Sequence, residues 1–366
     1  MIAGTVLAFD AAFRHAHIGD AAMKWTFRWF GPHDPVALRD IMQVPGLHDV
    51  TTSLHDVPEG VAWRREAIEV RRALLAEHGM TWTVVESIPV SEVIKTGHKE
   101  RDAHIDAWIT TLERVADAGV TTVCYNFMPV FDWWRSTFEH PLGDGSNAMS
   151  YDQRDVERFD VRRGVEQRIA WARGYDADDI RDALAPYETI DETVLRDNLT
   201  YFLHRVVPAA ERLGVRLALH PDDPPWSIFG LPRIVTDETA IARILDVVDS
   251  PSHGITFCTG SLGAHPDNDL ARMASRFATR IAFVHARNVR HDGPHSFHEV
   301  AHHRDAGDVA LLDVMRALAE ANVDVPLRPD HGRMIWGETG IPGYGLYDRA
   351  LGLGYLQGMW EGLRAS

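Results

Sequence analysis

The stretch Arg216-Leu217-Ala218-Leu219-His220-Pro221-Asp222-Asp223-Pro224-Pro225-Trp226 decides how this chain is read. It is an apolar run of strand length that ends on a histidine and then on loop-forming residues. It starts directly after Gly214, which is placed to cap a helical stretch running from Glu192 to Leu213 in the left-handed conformation. The same unit recurs along the chain. Short β-rich runs are read at Thr26 to Phe30, Asp49 to Thr52, Thr81 to Ser87, Thr121 to Asn126, Arg216 to His220, Ile255 to Cys258, Ile281 to His285 and Val325 to Arg328. Helical periods follow them at Pro35 to Gln43, Ala67 to His78, Glu100 to Ala118, Glu192 to Leu213, Glu238 to Val248, Asp267 to Thr279, Leu311 to Ala319 and Tyr347 to Leu363, with Gly79 and Gly119 as further caps. Alternating β and α segments imply a parallel sheet covered by helices, and eight such units close into a (β/α)8 TIM barrel.

One interval breaks the spacing. Some ninety residues separate the fourth strand from the end of the helix at Leu213, and Tyr151 to Asp182 is dense in Arg, Asp and Glu. This predicts a charged helical insertion at about 135–190, read as a solvated surface, with a lid or the subunit contact of a homo-oligomer as the alternative. Without a Pro/Gly/Ser-rich linker, residues 23–366 form a single barrel domain and residues 1–22 an N-terminal extension.

Composition narrows the partners. The 366 residues carry 37 Lys and Arg against 53 Asp and Glu, a net charge of −16, which argues against nucleic acid or an anionic membrane. No apolar run reaches the ~20 residues of a membrane span, and Met1 to Ala22 lacks the basic lead of a signal peptide, so a cytoplasmic location is expected. The two cysteines, Cys124 and Cys258, make no disulfide framework. Twenty histidines raise the expectation of a metal enzyme.

In a barrel of this kind the chemistry lies at the carboxyl ends of the strands. Four consecutive strands each bring a metal-capable side chain to that rim: His220, Cys258, His285 and Asp330. Any one of them alone reads as a packed or hydrogen-bonded residue; four at matching positions read as a site. Two imidazoles, a thiolate and a carboxylate suit a divalent transition ion, since hard Mg2+ or Ca2+ avoids sulfur. Four protein ligands plus substrate oxygens favour five- or six-coordinate Mn2+ or Fe2+ over closed tetrahedral zinc.

His298-Glu299-Val300-Ala301-His302 matches the H-E-x-x-H signature of zinc proteases. It falls in a polar loop after the seventh strand, between Gly293-Pro294 and Asp305-Ala306-Gly307, with no apolar face around it, so the protease reading is set aside. His298 or Glu299 is instead expected at the barrel mouth, touching substrate or supporting a ligand from behind. The turn Cys258-Thr259-Gly260-Ser261-Leu262-Gly263 reads as a plain strand-to-loop turn rather than a phosphate cradle.

Taken with Thr26-Phe27-Arg28-Trp29-Phe30-Gly31-Pro32, Leu54-His55-Asp56-Val57-Pro58, the run Tyr125 to Trp133, Val284-His285-Ala286-Arg287-Asn288, Arg328-Pro329-Asp330-His331-Gly332-Arg333 and Pro342-Gly343-Tyr344-Gly345-Leu346-Tyr347, the sequence resembles the mannonate dehydratase family from Met23 onward. The resemblance implies a xylose-isomerase-like barrel and a lyase that dehydrates D-mannonate to 2-keto-3-deoxy-D-gluconate in hexuronate (glucuronate) catabolism, with Mn2+ or Fe2+. It puts the metal ligands on His220, Cys258, His285 and Asp330. It puts the acid/base pair on His331 and a tyrosine, assigned to Tyr344 with Tyr347 the neighbouring alternative. Arg28, Arg287 and Arg333 are candidates to clamp the substrate carboxylate, and His55, Asn126 and Asp222 to contact its hydroxyls. A sugar isomerase or epimerase on the same barrel, or a non-catalytic sugar-acid binding protein, are the competing readings.

Overall fold

The computed structural model describes residues 23–163 and 177–365. In chain order its strands are β1 (Lys24–Arg28), β2 (Asp49–Thr52), β3 (Thr81–Glu86), β4 (Thr122–Tyr125), β5 (Thr137–Pro141), β6 (Asn147–Asp152), β7 (Arg216–Leu219), β8 (His253–Cys258), β9 (Ile281–Ala286), β10 (Asn288–Gly293), β11 (Ser296–Val300) and β12 (Pro326–Pro329). Eight of them close a barrel in the order β1-β12-β9-β8-β7-β4-β3-β2, every pairing parallel. The expected barrel is there, strand for strand. Every residue of β4, β8, β9 and β12 is buried, as befits strands covered on one face by helices and on the other by the barrel interior.

The helix Glu192–Leu213 illustrates how the outer layer is built. Asp191 accepts hydrogen bonds from the backbone N–H groups of Thr193 and Val194, and Gly214 closes the other end at φ 65°. Its buried stripe, Leu195, Leu199, Phe202, Leu203, Val206 and Ala210, recurs at three- and four-residue spacing. Phe202 meets Trp108 of the helix Arg101–Asp117 edge-on at 5.3 Å and Tyr125 of β4 at 5.8 Å. Burying such a ring stabilises the fold by roughly 2–3 kcal/mol.

The insertion differs from expectation. It opens with a hairpin, β5 and β6, and only then turns helical at Gln153–Arg158 and Ala177–Leu184. The hairpin turns at Asp144-Gly145-Ser146, where Asp144 accepts from the Ser146 N–H and Gly145 sits at φ 86°. β6 buries Ala148, Met149, Ser150 and Tyr151 and pairs with β11, giving an antiparallel sheet β10-β11-β6-β5. The H-E-x-x-H segment, expected in a loop, therefore lies largely in a strand of this accessory sheet. One of its two partner strands, β6, is more than a hundred residues away, a pairing invisible to local pattern. Residues 1–22, read as an extension, and part of the charged insertion lie outside the described residues. Among the described residues no helix is long and apolar enough to cross a membrane.

Candidate active site

His220 follows β7, Cys258 is the last residue of β8, His285 the penultimate residue of β9, and Asp330 follows β12. Their donor atoms converge. His220 Nε2 is 3.2 Å from His285 Nδ1, Cys258 Sγ is 3.6 Å from Asp330 Oδ2, and His285 Nδ1 is 3.8 Å from Asp330 Oδ1. The ligand atoms of His220, Cys258 and His285 all lie within 4.8 Å of one another. An ion ~2.1 Å from nitrogen or oxygen and ~2.3 Å from sulfur spaces neighbouring ligands roughly 3–4 Å apart, so the group fits a transition ion.

The tautomers agree with that fit. His220 turns Nδ1 to the Pro221 carbonyl at 2.7 Å, which leaves the Nε2 lone pair for the centre. His285 points Nε2 toward Glu86 Oε2 at 3.4 Å, the back-side carboxylate that orients a ligand imidazole. Burial pushes the His285 pKa down to about 3 and also lowers His220, so both rings are neutral bases. Burial raises the Cys258 thiol to about 12, helped by Asp330, so a cation is what would draw out its thiolate. Ser261 steadies that sulfur through its N–H at 3.4 Å and Oγ at 3.1 Å. Burial alone would raise Asp330, but His331, Arg328 and Arg287 outweigh it and hold the carboxyl well below its ordinary range.

A second donor group, Glu86, Cys124 and His285, shares one imidazole with the first. It is the poorer candidate for catalysis. Cys124 is buried in an apolar cluster with Val84, Ala218, Ala282 and Phe283. Both Glu86 oxygens are taken by Arg328, at 2.8 and 3.0 Å.

Beside the donors stands a second chemical unit. His331 Nε2 is 3.0 Å from the Tyr344 hydroxyl, both side chains buried. Gly343, at φ 78°, passes so near that an added Cβ would collide with Met149 and touch His331. Phe30 meets the Tyr344 ring edge-on at 4.7 Å, and Trp133 lies 5.5 Å from the His331 ring. Burial pushes the Tyr344 phenol upward, which keeps it protonated. Tyr347 is 43% exposed and packs on Trp336 instead, so of the two tyrosines only Tyr344 meets His331. The far nitrogen of His331, Nδ1, lies 2.8 Å from Glu299 Oε1 and 2.9 Å from Arg287 Nη1.

The other expected residues divide. Arg28 is buried near the donors, with Nη1 3.3 Å from Glu86 and Nη2 3.5 Å from His55. Its Nε and Nη1 make no hydrogen bond among the described residues, which leaves donors for an anion. His55 is exposed at the same edge, its ring 5.5 Å from Phe30, and half-buried Asn126 accepts from the Met128 N–H. Arg287 is engaged by Asp223 at 2.6 Å, Asp330 at 3.2 Å and Glu299 at 3.4 Å. Two residues are spent elsewhere. Arg333 pairs with Asp144 and Asp348, and Asp222 accepts from the Ile234 and Val235 N–H groups. Glu86, the last residue of β3, and Arg328, one residue short of the end of β12, are not singled out by the sequence, because their importance lies in contacts that only the fold brings together.

The closed parallel barrel defines the class: a (β/α)8 TIM barrel whose carboxyl-end rim carries the candidate donors. In fold alone, the chain superposes on a xylose isomerase domain protein from Planctomyces limnophilus with TM-score 0.55 and 13% identity, covering 94% of this chain and 98% of that one. The family is narrower. Residues 23–366 match the family model D-mannonate dehydratase (UxuA), and the chain belongs to that family. It is 48% identical over 341 residues to mannonate dehydratase 2 of Halalkalibacterium halodurans, covering 93% of this chain and 99% of the relative. It is also similar to the crystal structure of mannonate dehydratase from Streptococcus suis serotype 2, with TM-score 0.88 and 43% identity over 94% of this chain and 96% of that one.

Proposed function

We infer that this protein is a divalent-metal-dependent hydro-lyase that converts D-mannonate to 2-keto-3-deoxy-D-gluconate. The observation that carries the reading is the pairing of two units at one rim: the donors His220, Cys258, His285 and Asp330, and beside them the His331–Tyr344 contact of 3.0 Å. Family membership supplies the substrate.

The residues account for the reaction as follows. Arg28, whose buried Nε makes no hydrogen bond among the described residues, receives the sugar-acid carboxylate. His55 and Asn126 line the side on which the hydroxyls lie. His220, Cys258, His285 and Asp330 would hold the divalent ion, which when bound would supply Lewis-acid stabilisation of negative charge next to the carboxylate. Mn2+ or Fe2+ is the ion the set favours, because four protein ligands still leave room for substrate oxygens in a five- or six-coordinate shell. His331 Nε2 takes the proton from carbon 2. Tyr344, kept neutral by burial, gives its proton to the departing hydroxyl of carbon 3, which leaves as water. The resulting enol becomes the 2-keto acid as its proton moves to carbon 3. His331 then returns its proton to the Tyr344 oxygen across 3.0 Å, so the pair starts each cycle unchanged. Each proton transfer contributes about 10²–10⁴-fold. A cytoplasmic location suits a thiolate ligand that must stay reduced.

The test is to incubate metal-reconstituted protein with D-mannonate and look for a product lighter by one water that reacts as a 2-keto-3-deoxy acid. If D-mannonate binds and that product never forms, the reading fails.

A further inference from the structure

The H-E-x-x-H segment is left without a role by the reaction just derived, yet its three polar residues go to three different places. His298 faces outward and pairs with Asp292 at 2.8 Å, while His302 is buried with Nε2 on the Ala286 carbonyl. Glu299 points inward and is 1% exposed. A strand explains the split, because its neighbouring side chains alternate between faces. Phe297 shares the inward face with Glu299, stacking on Tyr151 and packing against Arg135.

A buried carboxylate costs several kcal/mol unless it is fully paired. Among the described residues every side-chain hydrogen bond of Glu299 passes through Oε1: to Arg135 at 2.7 and 3.0 Å, to Arg287 at 3.4 Å and to His331 Nδ1 at 2.8 Å. Arg135 is in turn clamped by Asp223 at 2.8 and 3.1 Å. The carboxylate is thus fixed in place from behind.

Two groups compete for His331 Nδ1, and their demands are opposite. Arg287 can only donate, and Glu299, as a carboxylate, can only accept. Arg287 has three other acceptors in Asp223, Asp330 and Glu299 itself. If the proton sits on Nδ1, it bonds Glu299, and Nε2 is left as an acceptor facing Tyr344. If the proton sits on Nε2, a bare Nδ1 lone pair is pressed against a carboxylate oxygen, and the base required at carbon 2 is lost. The first arrangement gives Glu299 its donor, leaves Arg287 its carboxylate partners and lets the Tyr344 hydroxyl donate to the Nε2 lone pair.

We propose that Glu299 is a positioning residue for the dehydration: it holds His331 with Nδ1–H toward its own carboxylate and the Nε2 lone pair toward substrate and Tyr344. The accessory sheet delivers it. β11 is held on one side by β10, where Val289 opposes Glu299, and on the other by β6, where Ser150 opposes His298. The hairpin β5–β6 thereby contributes to the acid/base pair without supplying a reacting atom. The proposal rests on the assignment of His331 as proton acceptor.

The experiment compares Glu299→Gln, Glu299→Asp and, as a control on the outward face of the same strand, His298→Gln. In metal-loaded enzyme, Glu299→Gln is expected to lower kcat by about 10²-fold, with KM for D-mannonate and bound metal within about twofold of wild type. Glu299→Asp, which keeps the charge, recovers part of that loss, and His298→Gln stays within about twofold in kcat. A kcat for Glu299→Gln equal to wild type overturns the proposal, as does a loss shared equally by KM and metal content. Should the variant fail to fold, histidine 15N NMR of wild type loaded with diamagnetic Zn2+, with His331→Asn to assign the signal, decides the matter. Protonation at Nδ1 supports the proposal and protonation at Nε2 overturns it. The NMR result stands even if wild type does not dehydrate D-mannonate, so failure of the two readings can be told apart.

Discussion

Two glutamates flank the centre, Glu299 buried and Glu86 half-buried, each braced by two arginines and each aimed at the far nitrogen of an imidazole. Glu86 at the end of β3 lies against Arg28 and Arg328 and faces His285 Nε2 at 3.4 Å. Glu299 in β11 lies against Arg135 and Arg287 and faces His331 Nδ1 at 2.8 Å. The barrel supplies the first and the accessory sheet the second. Their surroundings differ in what they ask of the imidazole. As a proposed metal ligand, His285 needs only to present a neutral Nδ1 to an ion, which a loose contact and burial achieve. In the proposed reaction His331 gains and loses a proton in each cycle at one defined nitrogen, which calls for the shorter, charge-assisted contact. One side of the site is built to hold, the other to exchange.

The variants that break this division most are those that remove one function outright. Cys258→Ala deletes the sulfur donor, and the expected outcome is loss of bound metal together with all turnover, read by metal analysis of the purified protein. Metal-replete, fully active Cys258→Ala would remove Cys258 from the ligand set. Tyr344→Phe should retain the metal and lower kcat by about 10²–10⁴-fold, because only the proton donor is gone. Glu86→Gln sharpens the comparison further, weakening metal affinity by about 10–100-fold while saturating metal restores most of kcat; a kcat loss that metal does not rescue would give Glu86 a role beyond His285. The smallest effect is expected at Arg333→Met. Its guanidinium is spent on Asp144 and Asp348, so KM for D-mannonate should hold steady and stability should fall by about 1–3 kcal/mol as Asp348 loses its partner.

Sequence carried much of this division on one side and little on the other. The barrel is legible because its βα units are local: Asp191 and Gly214 bracket a helix whose observed ends, Glu192 and Leu213, agree with the periodicity. The four donors are legible because each marks the carboxyl end of a strand. The accessory sheet is not, since β5 is half-exposed and charged, and β6 finds β11 only across the fold. Glu299 is hidden twice over, inside a motif whose familiar meaning requires a helix where the chain makes a strand. Glu86 has no motif around it, and its worth appears only when Arg28, Arg328 and His285 are seen to meet it. The choice between Tyr344 and Tyr347 turns on three residues of register, which Gly343 and the exposed pair of Trp336 with Tyr347 resolve in space.

The central claim is that the ion sits among His220, Cys258, His285 and Asp330 on the side of His285 that faces the barrel mouth. Anomalous scattering from crystals of the Mn2+- or Fe2+-loaded protein tests it directly. The account predicts a single strong peak bonded to His220 Nε2, Cys258 Sγ, His285 Nδ1 and an Asp330 oxygen. A peak on the other side of that imidazole, between Glu86 and Cys124, would contradict it.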